Sequence, residues 1–410
     1  MKRINHLPRR SFFQTGWVLP MAGLTPTGRM GISAAANQPS GIYARLGVRT
    51  FINAVGTLTT LSGSLMPPEV RQAMDEASRN FVPIHELQDK VGKRLAELTG
   101  AQAAFVTAGA SAALCLASCS VTAGKDPTRM KQLPDLTGMK SEFIIQKAHR
   151  NSYDHAFRMV GARLVEVETA DDIRRAINGK TAALTMVLSH NSLGHKVELD
   201  QMIEIAHKAG LPVILDAAAE VPPPENLSKF LKMGTDLVAF SGGKNLRGPQ
   251  CSGILMGRKD LIEAAYANSS PNNYLARAAK VGKEEIVGLL AAVELCLKKD
   301  HAAERREFTA MLNRAAERLK GVPGVTTEFI PNLDFSHSPR LSVQWDEAKL
   351  GVTLDQMVKR LREGRPSIEA SDMTKFRPSW KGLGVFANNM QPGEEIVVAD
   401  RVKQILIGKA

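Results

Sequence analysis

The chain has 410 residues, 44% hydrophobic and 23% charged, with three Trp and four Tyr. This length and balance suit one large globular domain with a smaller companion, and they exclude a solenoid or a largely disordered tail. The net charge of +12 does not mark a nucleic-acid binder: five of the charges lie in residues 1–36, which contain no acid, and later Lys and Arg are interleaved with Asp and Glu, as in "KKDHAAERREFTAM".

The N-terminus, "MKRINHLPRRSFFQTGWVLPMAGLTPTGRMGISAAANQ", runs from basic to moderately apolar to small residues. That order is the pattern of an export signal. Arg9-Arg10 before Ser11-Phe12-Phe13 reads as a twin-arginine signal over residues 1–36, with cleavage near Asn37. The apolar part is too short, and too broken by Pro20 and Pro26, to span a bilayer. The expectations are an export machinery as partner and a periplasmic location. Residues 37–100 read as an N-terminal arm with helices, and "MPPEVRQAMDEASRN" places Pro just inside a helix start.

From residue 101 short apolar runs alternate with amphipathic stretches. The runs are "AAFVTAG", "EFIIQ", "RLVEVE", "AALTMVLS", "PVILDA", "DLVAFSG" and "SGILMG". Alternating β and α of this kind predicts an α/β domain over 101–300, with an open, mostly parallel seven-stranded sheet covered by helices on both faces. A helical region is expected from Asn273 to Lys320. Residues 301–410 read as a small α+β domain, with strands at "TTEFIP" and "RLSVQW" and helices at "LDQMVKRLREG" and "EEIVVADRVKQILIG". The four cysteines form no CxxC pair, and Cys115 and Cys119, one helical turn apart in an apolar run, read as core; no metal site is expected.

Ligands of open α/β sheets bind beyond the carboxyl ends of the strands, and three features collect there. "PVILDA" ends in Asp216, "DLVAFSGGK" ends in Ser241 and Lys244, and "AAFVTAGASAAL" passes from strand to helix through small residues. An amine, a carboxylate and a helix N-terminus free to hold a phosphate match the needs of pyridoxal 5'-phosphate. The lysine would carry the cofactor as a Schiff base, and the aspartate would keep the ring nitrogen protonated. Glycines beside Lys244 would let the backbone approach closely and let the amine swing. Singly, each feature also has a plainer reading: a helix-capping aspartate, a solvated lysine, a tightly packed turn.

The stretch "DAAAEVPPPENLSKFLKMGTDLVAFSGGKNLRGPQCSGILMGRKDLI", with "IYARLGVRTFINAVGTLTTLSGSLMPPEV" and "ARAAKVGKEEIVGLLAAVE", resembles the family of bacterial selenocysteine synthase (L-seryl-tRNA selenium transferase) and D-glucosaminate-6-phosphate ammonia-lyase. The resemblance implies the fold-type-I pyridoxal phosphate architecture and a homodimer or higher homo-oligomer with shared active sites. It implies Lys244 as the Schiff-base lysine and Asp216 as the ring-nitrogen partner. It further implies Ala110, Ser111 and Ser241 as phosphate ligands, His149 as the residue stacked on the ring, and Arg277 and Arg340 as substrate anion clamps. For His149 a solvated loop position, for Arg277 a helix-surface charge and for Arg340 a surface-strand charge are the alternatives.

Two departures bear on function. The transfer-RNA-gripping N-terminal domain of selenocysteine synthase has no counterpart in the sequence, and "EGRPSIEASDMTKFRP" does not follow the family's C-terminal pattern. The expected activity is that of a lyase forming an external aldimine with an amino acid or amino sugar acid and eliminating a β-substituent or ammonia. The alternatives are an aldolase, racemase or aminotransferase, a selenium transferase, and a non-catalytic periplasmic binding protein. The expected partner is a small amino substrate and not a nucleic acid.

Overall fold

The computed structural model describes residues 41–188, 194–330, 338–375 and 379–408. The export signal expected over 1–36 lies outside the described residues. All seven apolar runs form one sheet: β1 (Ala103–Thr107), β2 (Glu142–Gln146), β3 (Arg163–Val167), β4 (Thr181–Val187), β5 (Val213–Asp216), β6 (Leu237–Ser241) and β7 (Gly253–Gly257). Their order is β1-β7-β6-β5-β4-β2-β3. β7 is antiparallel to both neighbours and the other pairings are parallel. The loop from β6 to β7 contains no crossover helix, so the chain turns straight back.

Alternation along the strands feeds two cores. On one face Val106, Leu184, Leu215, Phe240 and Met256 pack with the helices Ile84–Thr99, Leu199–Lys208 and Lys283–Lys298; on the other Phe105, Phe143, Ile214, Ala239 and Leu255 pack under Ala110–Thr122 and Lys259–Asn268. In chain order the helices are α1 (Pro68–Ser78), which packs on the last of them, α2 (Ile84–Thr99), α3 (Ala110–Thr122), α4 (Leu199–Lys208), α5 (Lys259–Asn268) and α6 (Lys283–Lys298). α1 opens on Pro68, whose missing N–H costs nothing at a helix start. Cys115 and Cys119 are buried in α3 as expected of core residues.

The helix expected from residue 273 begins ten residues later, at Lys283. Gly282 precedes it and Glu284 and Glu285 occupy its first turn, where carboxylates complement the positive helix end. It also breaks at Asp300, whose side chain accepts from Ala303 N–H and starts α7 (His301–Leu319).

The C-terminal unit continues with β8 (Val325–Ile330), β9 (Arg340–Trp345), α8 (Leu354–Glu363), β10 (Ser371–Asp372), β11 (Leu383–Phe386) and α9 (Glu394–Leu406). Its antiparallel sheet has the order β10-β11-β9-β8. The N-terminal arm is not separate from it. Ile52–Asn53 pairs in parallel with Ile368–Glu369, and Ile52 and Ala54 lie in the same core as Leu312, Val343 and Val385.

The loop carrying Lys244 is not the flexible loop its glycines suggest. Gly242 donates its N–H to Ser252 O at 2.8 Å and accepts from Gly248 N–H at 2.8 Å. A Cβ on Gly242 would lie 2.1 Å from Ser252 Oγ and 2.6 Å from Leu289 Cδ1. The residue is glycine because nothing larger fits. Gly242→Ala should therefore cost ~2 kcal/mol or more in urea unfolding, at unchanged m-value. Gly179→Ala, with nothing within 4 Å of the added carbon, should shift stability by less than ~0.5 kcal/mol.

Candidate active site

The sheet brings the predicted residues to one edge. Asp216 ends β5 and pairs in register with Ala239, while Ser241, two residues on, ends β6 and pairs with Gly253 at the start of β7. Gly253 in turn pairs with Thr107 at the end of β1. The strand ends, the β6–β7 loop and the N-terminus of α3 thus share one crevice.

Asp216 is buried, and its Oδ1 accepts the Ala218 N–H at 3.0 Å. A turn follows it, so the helix-capping reading does not hold. Burial pushes its carboxyl up, against the Lys244 ammonium and the Ala218 N–H, which pull it down. Lys244 is half-buried. Loss of solvent pushes its ammonium below the ordinary lysine value, and the Asp216 and Glu220 carboxylates partly restore it. A half-buried amine with two acids in electrostatic reach is not the fully solvated lysine of the plainer reading.

α3 opens at Gly109, which takes a left-handed φ of 95° and leaves the first turn without a side-chain cap. The N–H groups of that turn and the positive helix end face the crevice mouth. Thr107 Oγ1 donates to Gly109 O at 2.9 Å and fixes the turn. A Cβ on Gly253 would lie 2.5 Å from Gly109 C and 2.7 Å from Ala110 N, so the helix start sits directly on β7. Ala110 is half-buried and Ser111 exposed in the first turn, with Ser241 one strand away. Neither the Ser111 nor the Ser241 hydroxyl bonds to another described residue. A phosphate fits this cradle of backbone donors and uncommitted hydroxyls.

His149 is buried, 1% exposed, which overturns the solvated-loop alternative. Neither ring nitrogen has a hydrogen-bond partner among the described residues. Its ring lies 5.1 Å, centroid to centroid, from that of His195. Burial, aided by His195, pushes its pKa down to about 4, so it is a neutral ring at pH 7. A flat, uncharged face suits stacking on a heteroaromatic cofactor.

The two arginines separate. Arg340, at the start of β9, is buried rather than on a surface strand, with its guanidinium 5.2 Å from the Trp380 ring centroid and 5.6 Å from that of Phe386. Burial pushes its pKa down to about 10. Arg277 is exposed on a turn rather than a helix, and its guanidinium bonds to no described residue.

Sequence reasoning missed Glu220 and His195. Glu220 is 1% exposed, and its carboxyl is pushed up to about 8 by burial, with Lys244 pulling it down and Asp216 pushing it up. The available signal was a single acid inside the apolar, proline-rich "DAAAEVPPP", four residues after Asp216. His195 carried no such signal, because only the fold brings it to His149.

Comparisons with known proteins agree with this geometry. The family model for L-seryl-tRNA selenium transferase (SelA) matches residues 52–324. The chain is 32% identical over 374 residues to D-glucosaminate-6-phosphate ammonia lyase of Salmonella typhimurium, covering 89% of this chain and 97% of that one. The solved structure of a D-glucosaminate-6-phosphate ammonia-lyase superposes with a TM-score of 0.79 at 30% identity, covering 90% and 99% of the two chains. A 5'-C-glycyluridine monooxygenase-decarboxylase of Streptomyces sp is 33% identical over 377 residues, covering 89% and 92%. Serine palmitoyltransferase of S. paucimobilis, solved with a pyridoxal phosphate–myriocin adduct, shares the fold at a TM-score of 0.57 and 15% identity, covering 88% and 89%.

The buried His149 gives a pH signature. Its folded value near 4 lies below the ordinary 6.5, so the unfolded chain binds more protons between those limits. Its contribution is complete above pH 6.5 and is lost as pH falls towards 4. In His149→Phe, roughly 2 kcal/mol of the wild-type loss in unfolding free energy between pH 7 and pH 5 should disappear. Chemical denaturation at the two pH values measures this.

Proposed function

Because the chain belongs to the L-seryl-tRNA selenium transferase (SelA) family of pyridoxal phosphate-dependent enzymes, we propose that it is a lyase eliminating ammonia or a β-substituent from a small anionic amino acid or amino sugar acid. The observation that carries this reading is the half-buried Lys244, in electrostatic reach of Asp216, at the same sheet edge as the uncapped start of α3. The near full-length similarity to an ammonia-lyase supports the reaction class.

Pyridoxal phosphate, when bound, supplies an electron sink conjugated to the substrate amine. The chain's own residues do the rest. The first-turn N–H groups of α3, with Ser111 and Ser241, would hold the phosphate; Asp216 would keep the ring nitrogen protonated; His149 would cover a ring face. Lys244 Nζ, its proton loosened by desolvation, would anchor the cofactor and is the group that could take up a proton from the substrate carbon. Arg340, braced by Trp380 and Phe386, binds a substrate carboxylate, and Arg277 meets a second anionic group. A second copy of this chain completes the site's outer wall, a reading supported by the exposed apolar residues Tyr43, Leu46, Leu65 and Phe81 on the entry segment.

The decarboxylase relative favours a second reading, loss of carbon dioxide with oxygen uptake. The products separate the two. Borohydride reduction of the cofactor-loaded protein should fix a pyridoxyl group on Lys244, found by peptide mass mapping. Lys244→Ala should lose the label, remain folded, and lose about a thousandfold or more in turnover. Wild-type turnover on amino sugar acids and β-substituted amino acids should release ammonia with an oxo-acid. Carbon dioxide release coupled to oxygen consumption would replace the lyase reading by the second, and a label on another lysine would overturn both.

Residues 1–36 extend the proposal to location. A phosphorylated cofactor crosses hydrocarbon at high cost, so an exported enzyme of this kind is best loaded before export, and a twin-arginine signal serves a folded cargo. Replacing Arg9 and Arg10 together by Lys keeps the charge and removes the guanidinium pair. Cell fractionation should then find unprocessed, cofactor-loaded protein in the cytoplasm; processed protein in the periplasm would contradict the assignment.

A further inference from the structure

The exit of β11 holds the lysine turn from both flanks. Arg247 N–H donates to Lys244 O at 2.9 Å and closes a turn over residues 244–247, whose Leu246 side chain is buried in the core. Asn388, two residues past the end of β11 and 9% exposed, holds that turn at two points. Its Nδ2 donates to Asn245 Oδ1 at 3.0 Å, and its O accepts from Arg247 Nη2 at 2.9 Å. Asn389 Nδ2 donates to Gly63 O at 3.0 Å, and Ser64 Oγ, next in the chain, donates to Gly243 O at 3.0 Å. The residues before and after Lys244 are thus tied to one asparagine pair. The same strand carries Phe386, which pairs in register with Arg340 and has its ring centroid 5.6 Å from that guanidinium.

We propose that Asn388 is a positioning residue that sets the Lys244 amine in place, by clamping the turn that Lys244 opens to the strand that carries Phe386. The inference rests on the assignment of Lys244 above. A purely structural role does not account for the amide. Its Oδ1 is buried and has no hydrogen-bond partner among the described residues, a loss that offsets what the bond to Asn245 contributes. An apolar side chain of similar size would serve the fold as well. What the amide adds is direction. A lysine joins an aldehyde bound in its own protein because its amine is held there at a high effective concentration, and that concentration falls when the backbone carrying the amine is free to drift. Arg247 holds the far end of the same turn. Its left-handed φ of 57° is kept by the contacts of its guanidinium, with Asn388 O at 2.9 Å and Glu304 Oε1 at 3.4 Å.

The test uses the cofactor-loaded protein and lets methylamine compete with Lys244, a readout separate from turnover. The methylamine nitrogen bonds to the cofactor's aldehyde carbon as Nζ leaves it as a free amine, so nothing is oxidised or reduced in the exchange. Borohydride then fixes whichever amine the cofactor holds, and peptide mass mapping reads the fraction left on Lys244. In Asn388→Ala the methylamine concentration that halves the Lys244 label should fall about fivefold, the factor of one neutral hydrogen bond, while the urea midpoint stays within about 0.3 M of wild type. Asn245→Ala should give the same fall. The double variant should also fall about fivefold and not about twenty-five-fold, because the two side chains act through one bond. A half-point in Asn388→Ala equal to wild type, with Lys244 still labelled, would overturn the role of Asn388 and leave Lys244 in place; multiplying falls in the double variant would do the same. A fall that comes with a urea midpoint lowered by about 1 M or more would mark the amide as structural and overturn the proposal too. A wild-type half-point in Asn245→Ala would overturn it even where Asn388→Ala does not fold. A label on a different lysine without methylamine would overturn both assignments.

Discussion

The site depends on one constraint: a lysine amine is partly withdrawn from water and given too few fixed charges to be a comfortable ammonium. Burial opposes the charged form of Lys244, while Asp216 and Glu220 restore it only in part. An amine in that balance can be a nucleophile and a proton carrier near neutral pH, whereas a solvated lysine is a spectator. The sheet creates the balance by ending β5 and β6 side by side at one edge. The α3 terminus adds the opposite electrostatics, a cluster of N–H donors with no carboxylate in its first turn. One crevice thus offers separate places for an anion, a cationic ring nitrogen and an aldehyde.

Holding the amine in place is a matter of close packing across units. Gly242 is pressed against Ser252 and Leu289, and Ser64 Oγ donates to Gly243 O at 3.0 Å. Arg247 adopts a left-handed φ of 57°, unusual for a residue with a side chain. Its guanidinium reaches Asn388 O at 2.9 Å and Glu304 at 3.4 Å. Asn388 Nδ2 in turn donates to Asn245 Oδ1 at 3.0 Å, and Asn389 Nδ2 to Gly63 O at 3.0 Å. The lysine loop is therefore bonded to the entry segment, α7 and the C-terminal unit. Any shift of that unit reaches the residues flanking Lys244 through these bonds.

The strands of the large sheet were legible because buried parallel strands are continuous apolar runs with punctuated ends. Lys244, Asp216 and Ser241 were legible for the same reason, as polar residues at the exits of such runs. The pairing of Ile52–Asn53 with Ile368–Glu369 was not, because two residues carry no alternation and the contact spans almost the whole chain. The glycines of the lysine loop were half legible. Their composition suggests freedom, but the neighbours that would collide with a Cβ, Leu289 on α6 above all, are visible only once folded. The burial of His149 and Arg340 was equally hidden, since a loop histidine and a strand arginine look alike whether solvated or enclosed.

The account rests on the claim that this crevice, and no other part of the chain, seats pyridoxal phosphate, and a crystal structure of the loaded protein tests it most directly. The phosphate should lie against the first-turn N–H groups of α3 with the Ser111 and Ser241 hydroxyls, the ring nitrogen against Asp216, and continuous density should join the cofactor to Lys244 Nζ. Cofactor density elsewhere, or a phosphate in the crevice with Asp216 turned away from the ring nitrogen, would contradict it.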